Sequence, residues 1–471
     1  MKISTQKAVK LPKIVCLGAG SFSFGLSTLL TLLRSPVLRG SEIALVDINA
    51  ESLDLITELA EWLNRSWDCR KTITSHSSHK DALDNADYVV SAIEVQPRER
   101  LWQQDFELTL KYGLRQPYGE NGGPGGFAHA ARNVNAVLNI ARDMERLCPN
   151  AWLINFTNPM HRLCYLVNQY SRIKVVGLCH QLAAGYAMAA KALASKFSFP
   201  GANEFVSTHA DPSNHYPMAK MALQGMERLK ITAGGLNHFT WMLALQDRQT
   251  GEDLYPLFRQ EWKKLPTAFE PLTREIFDIF NLFPIPGDEH LDEYLPWLTS
   301  AQQKAWEKYD LSLYDWKRYE QLRDGQWQQV SDCIHRQQEM EILKDPVSEG
   351  AVELIESLVT GNELYWEALN IPNKGLIDGL PENAIVEVPG TIRSGAITGE
   401  PVGELPRGIT ELLHREVSAS QLCIDAVVQG DRNLALQSLL LDPVVDDIGT
   451  ARLILADILE TNKPWLPQFF E

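Results

Sequence analysis

The run Lys13-Ile-Val-Cys-Leu-Gly-Ala-Gly-Ser21 constrains this chain more than any other stretch. Its apolar half reads as a β-strand, which the glycines break into a turn before helical periodicity begins. About twenty-five residues further on, Glu42-Ile-Ala-Leu-Val-Asp47 is a second apolar strand that ends in an acid. This is the layout of a dinucleotide site. Gly18 permits the tight turn, Gly20 lets the backbone approach a pyrophosphate, and the new helix aims free N–H groups at it. Asp47 stands where a carboxylate accepts from adenosine ribose hydroxyls, which favours NAD over NADP. The third glycine of the usual fingerprint is absent: Phe22 or Phe24 holds that place, and Gly25 comes slightly late. The signal therefore rests on the order strand, turn, helix, strand, acid.

The same rhythm continues. Asp87-Tyr-Val-Val-Ser-Ala-Ile93, Ala151-Trp-Leu-Ile-Asn-Phe-Thr157 and Lys174-Val-Val-Gly-Leu-Cys179 are further apolar strands, separated by helical stretches. They predict an α/β fold with a Rossmann-like, doubly wound parallel sheet whose ligands gather at the carboxyl ends of the strands. A chain of 471 residues exceeds one ordinary core. The reading is an NAD-binding domain over 1–181 and a mixed α+β, mostly helical substrate and oligomerisation lobe over 182–471. The net charge of −16 argues against a nucleic-acid surface. No apolar run approaches the ~20 residues of a membrane span, and the first residues lack the apolar core of a signal peptide. The seven scattered cysteines read as reduced thiols in the cytoplasm.

Several residues carry chemistry. Cys179 follows a strand and His238 follows Gly-Gly-Leu-Asn; one thiolate and one imidazole make a partial site for a divalent transition metal. A buried thiol beside a hydrogen-bonded histidine explains the same residues, because no short ligand spacing is present. Glu120 lies in the glycine-dense stretch Tyr118-Gly-Glu-Asn-Gly-Gly-Pro-Gly-Gly126, where it reads either as a proton donor or as a solvated turn residue. Pro286-Gly-Asp-Glu-His-Leu-Asp-Glu-Tyr294 packs four carboxylates, a histidine and a tyrosine into one segment. Arg98 and Arg100 are candidates for an anionic group, and Asn158 for sugar hydroxyls or a helix cap.

Together with Asn155-Phe-Thr-Asn-Pro159, Gly177-Leu-Cys-His180, Gly235-Leu-Asn-His-Phe-Thr-Trp241, His290-Leu-Asp-Glu-Tyr-Leu-Pro-Trp297, Val386-Glu-Val-Pro-Gly390 and Gly430-Asp-Arg-Asn-Leu-Ala435, these markers run through nearly the whole chain. The chain resembles family 4 of the glycoside hydrolases, a known exception to the two-carboxylate scheme of most glycosidases. The resemblance implies NAD on Gly18, Gly20, Ser21, Phe22 and Asp47, and Mn²⁺ or another divalent transition metal on Cys179 and His238. Cys-His, with Asn158-Pro-Met, is similar to the branch acting on α-glycosides of unphosphorylated sugars, such as α-galactosidases and α-glucuronidases. Two departures from that branch are Glu120-Asn121 before the Gly-Pro-Gly-Gly run and Gln181 after Cys-His.

The implied reaction oxidises the sugar at C3, removes the C2 proton with metal assistance, expels the C1 substituent, adds water and re-reduces C3. Glu120 or His180 is expected near the departing oxygen, Asp288 or His290 as the C2 base, and Asn158 and Arg98 on the substrate. The family tends to form dimers and tetramers, so a homodimer or homotetramer is expected, with no nucleic-acid or membrane partner. Rival readings are the same chemistry on a sulfonated or 6-phosphorylated glycoside, an NAD-dependent sugar dehydrogenase, and a non-catalytic nucleotide sensor.

Overall fold

A computed structural model describes residues 11–21, 24–115, 118–208, 215–298, 304–336, 340, 343, 348–393 and 395–471. Six strands come first in the chain: β1 (Lys13–Leu17), β2 (Glu42–Val46), β3 (Thr72–His76), β4 (Tyr88–Ser91), β5 (Trp152–Asn155) and β6 (Lys174–Gly177). They pair in parallel in the order β3-β2-β1-β4-β5-β6, the doubly wound arrangement expected of a dinucleotide fold. The pleat explains why these strands are apolar throughout. Ile14 and Cys16 enter one core with the helices Gly25–Arg34 and Ala50–Ser66. Val15 and Leu17 enter another with Gly123–Leu147 and Met160–Tyr170.

The sheet does not stop at β6. It continues through β10 (Leu364–Pro372), β11 (Ile385–Arg393), β7 (Leu229–Leu236), β8 (Phe239–Asp247) and β9 (Phe283–Pro284), all antiparallel, with β12 (Ala396–Gly399) beside β11. One row of residues stitches the two halves: Gly177 opposite Asn370, Asn370 opposite Glu387, and Glu387 opposite Gly235. A side chain on Gly177 would put its Cβ 2.6 Å from Met160 Sδ and 2.9 Å from Asn370 Cβ, so β6 lies this close to both the helix and β10 only as glycine.

The chain after residue 181 does not stay on its own side. The helices Arg407–Gln429, Arg432–Leu441 and Ile448–Thr461 pack on Gly123–Leu147 and Met160–Tyr170 or on each other, closing the second core of the parallel half. Those two early helices bury apolar residues on faces turned away from the sheet, and the C-terminal helices cover them. The glycine stretch is not a loop throughout. Its latter part, from Gly123, is the first turn of a 25-residue helix, with Pro124 at a position where a missing N–H costs nothing.

Candidate active site

The row Gly177–Asn370–Glu387–Gly235 positions the first pair of groups. Two residues past Gly177 stands Cys179, and three past Gly235 stands His238, in the tight β7–β8 hairpin. His238 has φ 63°, a left-handed conformation that turns its ring back over the sheet. Its Nε2 lies 3.6 Å from Cys179 Sγ. Buried Glu387 fixes the hairpin by accepting from Asn237 Nδ2 at 2.8 Å, Thr240 Oγ1 at 2.6 Å and Asn370 Nδ2 at 3.0 Å.

Burial and the nearby Glu387 carboxylate push the Cys179 thiol up, against the opposing pull of bonds from Asn237 and the Gln181 backbone. Burial, with His290 and His180 nearby, holds His238 well below the usual imidazole range. The pair is thus a protonated thiol and a neutral imidazole, with His238 Nδ1 buried and lacking a hydrogen-bond partner among the described residues. Metal–sulfur and metal–nitrogen bonds of about 2.3 and 2.1 Å at a tetrahedral angle span about 3.6 Å. The donor set therefore fits a divalent transition metal.

Beside this pair, Glu120, His238 and His290 bring one ligand-capable atom each within 4.8 Å of one another. Asn158 Nδ2 donates to Glu120 Oε1 at 2.8 Å, while Asn158 Oδ1 is buried without a partner among the described residues. The backbone of Glu120 is anchored too: His129 donates from Nδ1 to its carbonyl at 2.8 Å and from Nε2 to Glu94 Oε1 at 2.6 Å. Burial opposes charge on His129, but the Glu94 carboxylate outweighs it and raises the imidazole above its ordinary value. His290 Nδ1 lies 2.8 Å from Glu293 Oε1, and its ring lies 4.3 Å from that of His238.

The cofactor turn is built by close approach. A Cβ on Gly18 would overlap the Ala92 carbonyl, and one on Gly25 the Ala19 carbonyl. Gly25 thus lets the helix start close against the glycine turn, in the place of the missing third glycine. Asp47 accepts from Gly20 N at 2.8 Å and Asn49 N at 2.8 Å. The helix Gly25–Arg34 has neither a side-chain cap nor an acid in its first turn, so its N-terminal N–H groups suit a pyrophosphate. Ser21 belongs to this turn; Phe22 lies outside the described residues.

The remaining candidates separate. His180 is about half exposed and pairs with Glu349 at 3.2 Å, which raises its ring against the effect of burial. Arg98 lies over Trp102 at 5.0 Å and Tyr319 at 5.1 Å, near enough to Glu120 for its charge to be felt. Asp288 is turned elsewhere. It is fully buried and accepts from the N–H groups of Leu272 at 3.0 Å and Thr273 at 2.6 Å, capping the helix Pro271–Phe280. Burial and neighbouring Glu270 push its carboxyl well up; with both oxygens engaged by backbone N–H groups, it holds the helix end rather than facing a sugar. Glu293, Glu387 and Gly25 carry none of the roles assigned from sequence. The Val-Glu-Val-Pro-Gly motif and the late glycine were the available signals for the last two.

The family model described as Family 4 glycosyl hydrolase matches residues 13–194, and the one for its C-terminal domain matches residues 233–445. The chain belongs to family 4 of the glycosyl hydrolases. Two family relatives are each 29% identical to it: an α-glucosidase of Erwinia rhapontici, covering 96% of this chain and 98% of the relative, and an α-galactosidase of Bacillus subtilis, covering 98% and 100%. A 6-phospho-α-glucosidase from gut microorganisms, solved with NAD and Mn²⁺, superposes with a TM-score of 0.77 at 19% identity over 97% of this chain and 99% of that one. This family 4 glycosidase therefore shares its whole architecture with solved members. Among the described residues, no helix is long and apolar enough to cross a membrane.

Proposed function

We propose that this glycosidase hydrolyses α-glycosides of an unphosphorylated hexose or a uronic acid, using NAD and a divalent transition metal such as Mn²⁺. One observation carries the reading. A thiol and a neutral imidazole 3.6 Å apart adjoin a carboxylate and a second imidazole at the carboxyl end of the sheet that also bears the Gly18–Asp47 turn. The names of the two 29% identical relatives support the α-glycoside class.

Bound NAD would supply a reversible acceptor for the hydride at sugar C3, and a bound cation would polarise the C3 oxygen. Gly18, Gly20, Ser21 and Asp47 would hold the first; Cys179, after losing its proton, and His238 would hold the second. The chain's own groups do the rest. A ketone at C3 makes the C2 proton acidic, and His290 would remove it through Nε2, its Nδ1 being engaged by Glu293. The charge left at C2 expels the C1 substituent. Glu120, steadied by Asn158, serves the departing oxygen, and the unpaired Asn158 Oδ1 receives a sugar hydroxyl. His290 takes the part for which the resemblance implied Asp288 or His290, and His180 stands at the half-exposed rim.

The seven cysteines, none in a disulfide, suit a cytoplasmic enzyme, and a homodimer or homotetramer is the proposed assembly. A panel of chromogenic α-glycosides, assayed with and without NAD, Mn²⁺ and a thiol reductant, tests the reading. Turnover is expected only with all three present. Undiminished hydrolysis after both NAD and metal are stripped would overturn it.

A further inference from the structure

We infer that Glu293 is a positioning residue that fixes the tautomer of His290 and the placement of Glu120; the inference rests on the roles proposed above for those two groups. The Glu293 carboxylate is fully buried, and each oxygen has a separate task. Oε1 lies 2.8 Å from His290 Nδ1. Oε2 accepts from the backbone N–H of Asn121 at 2.7 Å and of Gly122 at 3.0 Å.

With its other oxygen taken by two backbone N–H groups, Glu293 stands as an acceptor, so the neutral ring carries its hydrogen on the nitrogen facing it. That places the His290 lone pair on Nε2, the atom a base or a ligand needs. The other oxygen grips the residue next to Glu120. A Cβ on Gly122 would overlap the Glu293 carbonyl, so the two segments approach this closely only because Gly122 has none. One carboxylate thus ties the imidazole to the loop bearing the carboxyl group, and the separation between the two reacting groups follows from it. A plain structural staple would need the two loop bonds but would not care which His290 nitrogen is protonated.

Glu293→Gln separates these possibilities. Its amide oxygen still accepts from Asn121 and Gly122, but its NH₂ faces His290 Nδ1 and forces the hydrogen onto Nε2. Side-chain ¹⁵N–¹H spectra of the histidine-labelled protein, free of NAD and metal, read the tautomer directly, with His290 assigned by the signals lost in His290→Gln. The wild type is expected to show Nδ1–H and E293Q to show Nε2–H. In glycosidase assays E293Q should lose about 10–100-fold in kcat, with KM nearly unchanged.

An Nε2–H tautomer in the wild type, or a wild-type kcat in E293Q, would overturn the inference. Should E293Q fail to fold, the wild-type spectrum alone decides. A chain that splits no glycoside would sink the proposed function yet leave the tautomer result standing, so the two failures are distinguishable.

Discussion

The glycine segment 118–126 and the acidic segment 286–294 look equally functional in the sequence, yet the fold uses them differently. In the first, the polar groups converge: Glu120 faces Asn158 and the two imidazoles, and its carbonyl is held by His129. The second is divided. Asp288 points into the scaffold and caps a helix, while two residues later His290 points into the site and Glu293 joins it to the first segment. Side chains two residues apart on one short helical turn leave in different directions. A run of acids therefore announces a constructed region without telling which of its members meets the substrate.

This contrast is open to attack by mutation. Glu120→Gln should lower kcat by about 10²–10⁴-fold, the usual worth of a positioned proton donor, with little change in thermal midpoint. If E120Q keeps full kcat, the first segment is not the reacting one. Metal affinity supplies the next largest effect. The Cys179 thiol is held protonated by burial and by Glu387, so a cation must displace that proton. Calorimetric affinity for Mn²⁺ should rise with pH, by at most about tenfold per unit, and Cys179→Ser should weaken binding and flatten the slope.

For the second segment the sign reverses. Asp288→Asn should leave kcat near wild type but destabilise the fold by about 1–3 kcal/mol, the cost of disturbing a buried acceptor of two backbone N–H groups. Chemical denaturation beside steady-state kinetics checks this; a large kcat loss at unchanged stability would return Asp288 to the site.

The smallest effect concerns a third buried acid, outside both segments. Burial and neighbouring Glu416 push the Asp442 carboxyl up to about 7, above the ~3.9 of an unfolded chain. Its contribution is fully present below the unfolded value and is lost as pH rises through 7. Asp442→Asn should therefore gain thermal stability relative to wild type between pH 5 and pH 8, as read by scanning calorimetry at both.

Much of the parallel half was legible because its physics is local. Apolar strands, a glycine turn and a closing acid each announce themselves within a few residues, and β1 to β6 follow in the expected order. The antiparallel half was harder. β8, β9, β10 and β12 were unread, and β10 reaches the parallel sheet through the single opposition of Asn370 and Gly177, a contact between residues far apart in the chain. The candidate site was legible as residue types but not as directions. Cys179 and His238 meet because a left-handed turn at His238 swings its ring inward, a conformation that no local pattern specifies. Arg132 and Arg162 are buried against Asp105 and Glu416. Burying a charge demands a partner, and the sequence does not tell which acid supplies it.

The central claim is that loosening of the C2–H bond precedes departure of the C1 substituent. Hydrolysis of an α-glycoside by the NAD- and Mn²⁺-supplemented enzyme in deuterated water, followed by NMR of the released sugar, tests it directly. Deuterium at C2 in step with turnover is the predicted result; normal turnover with C2 wholly protonated would contradict it.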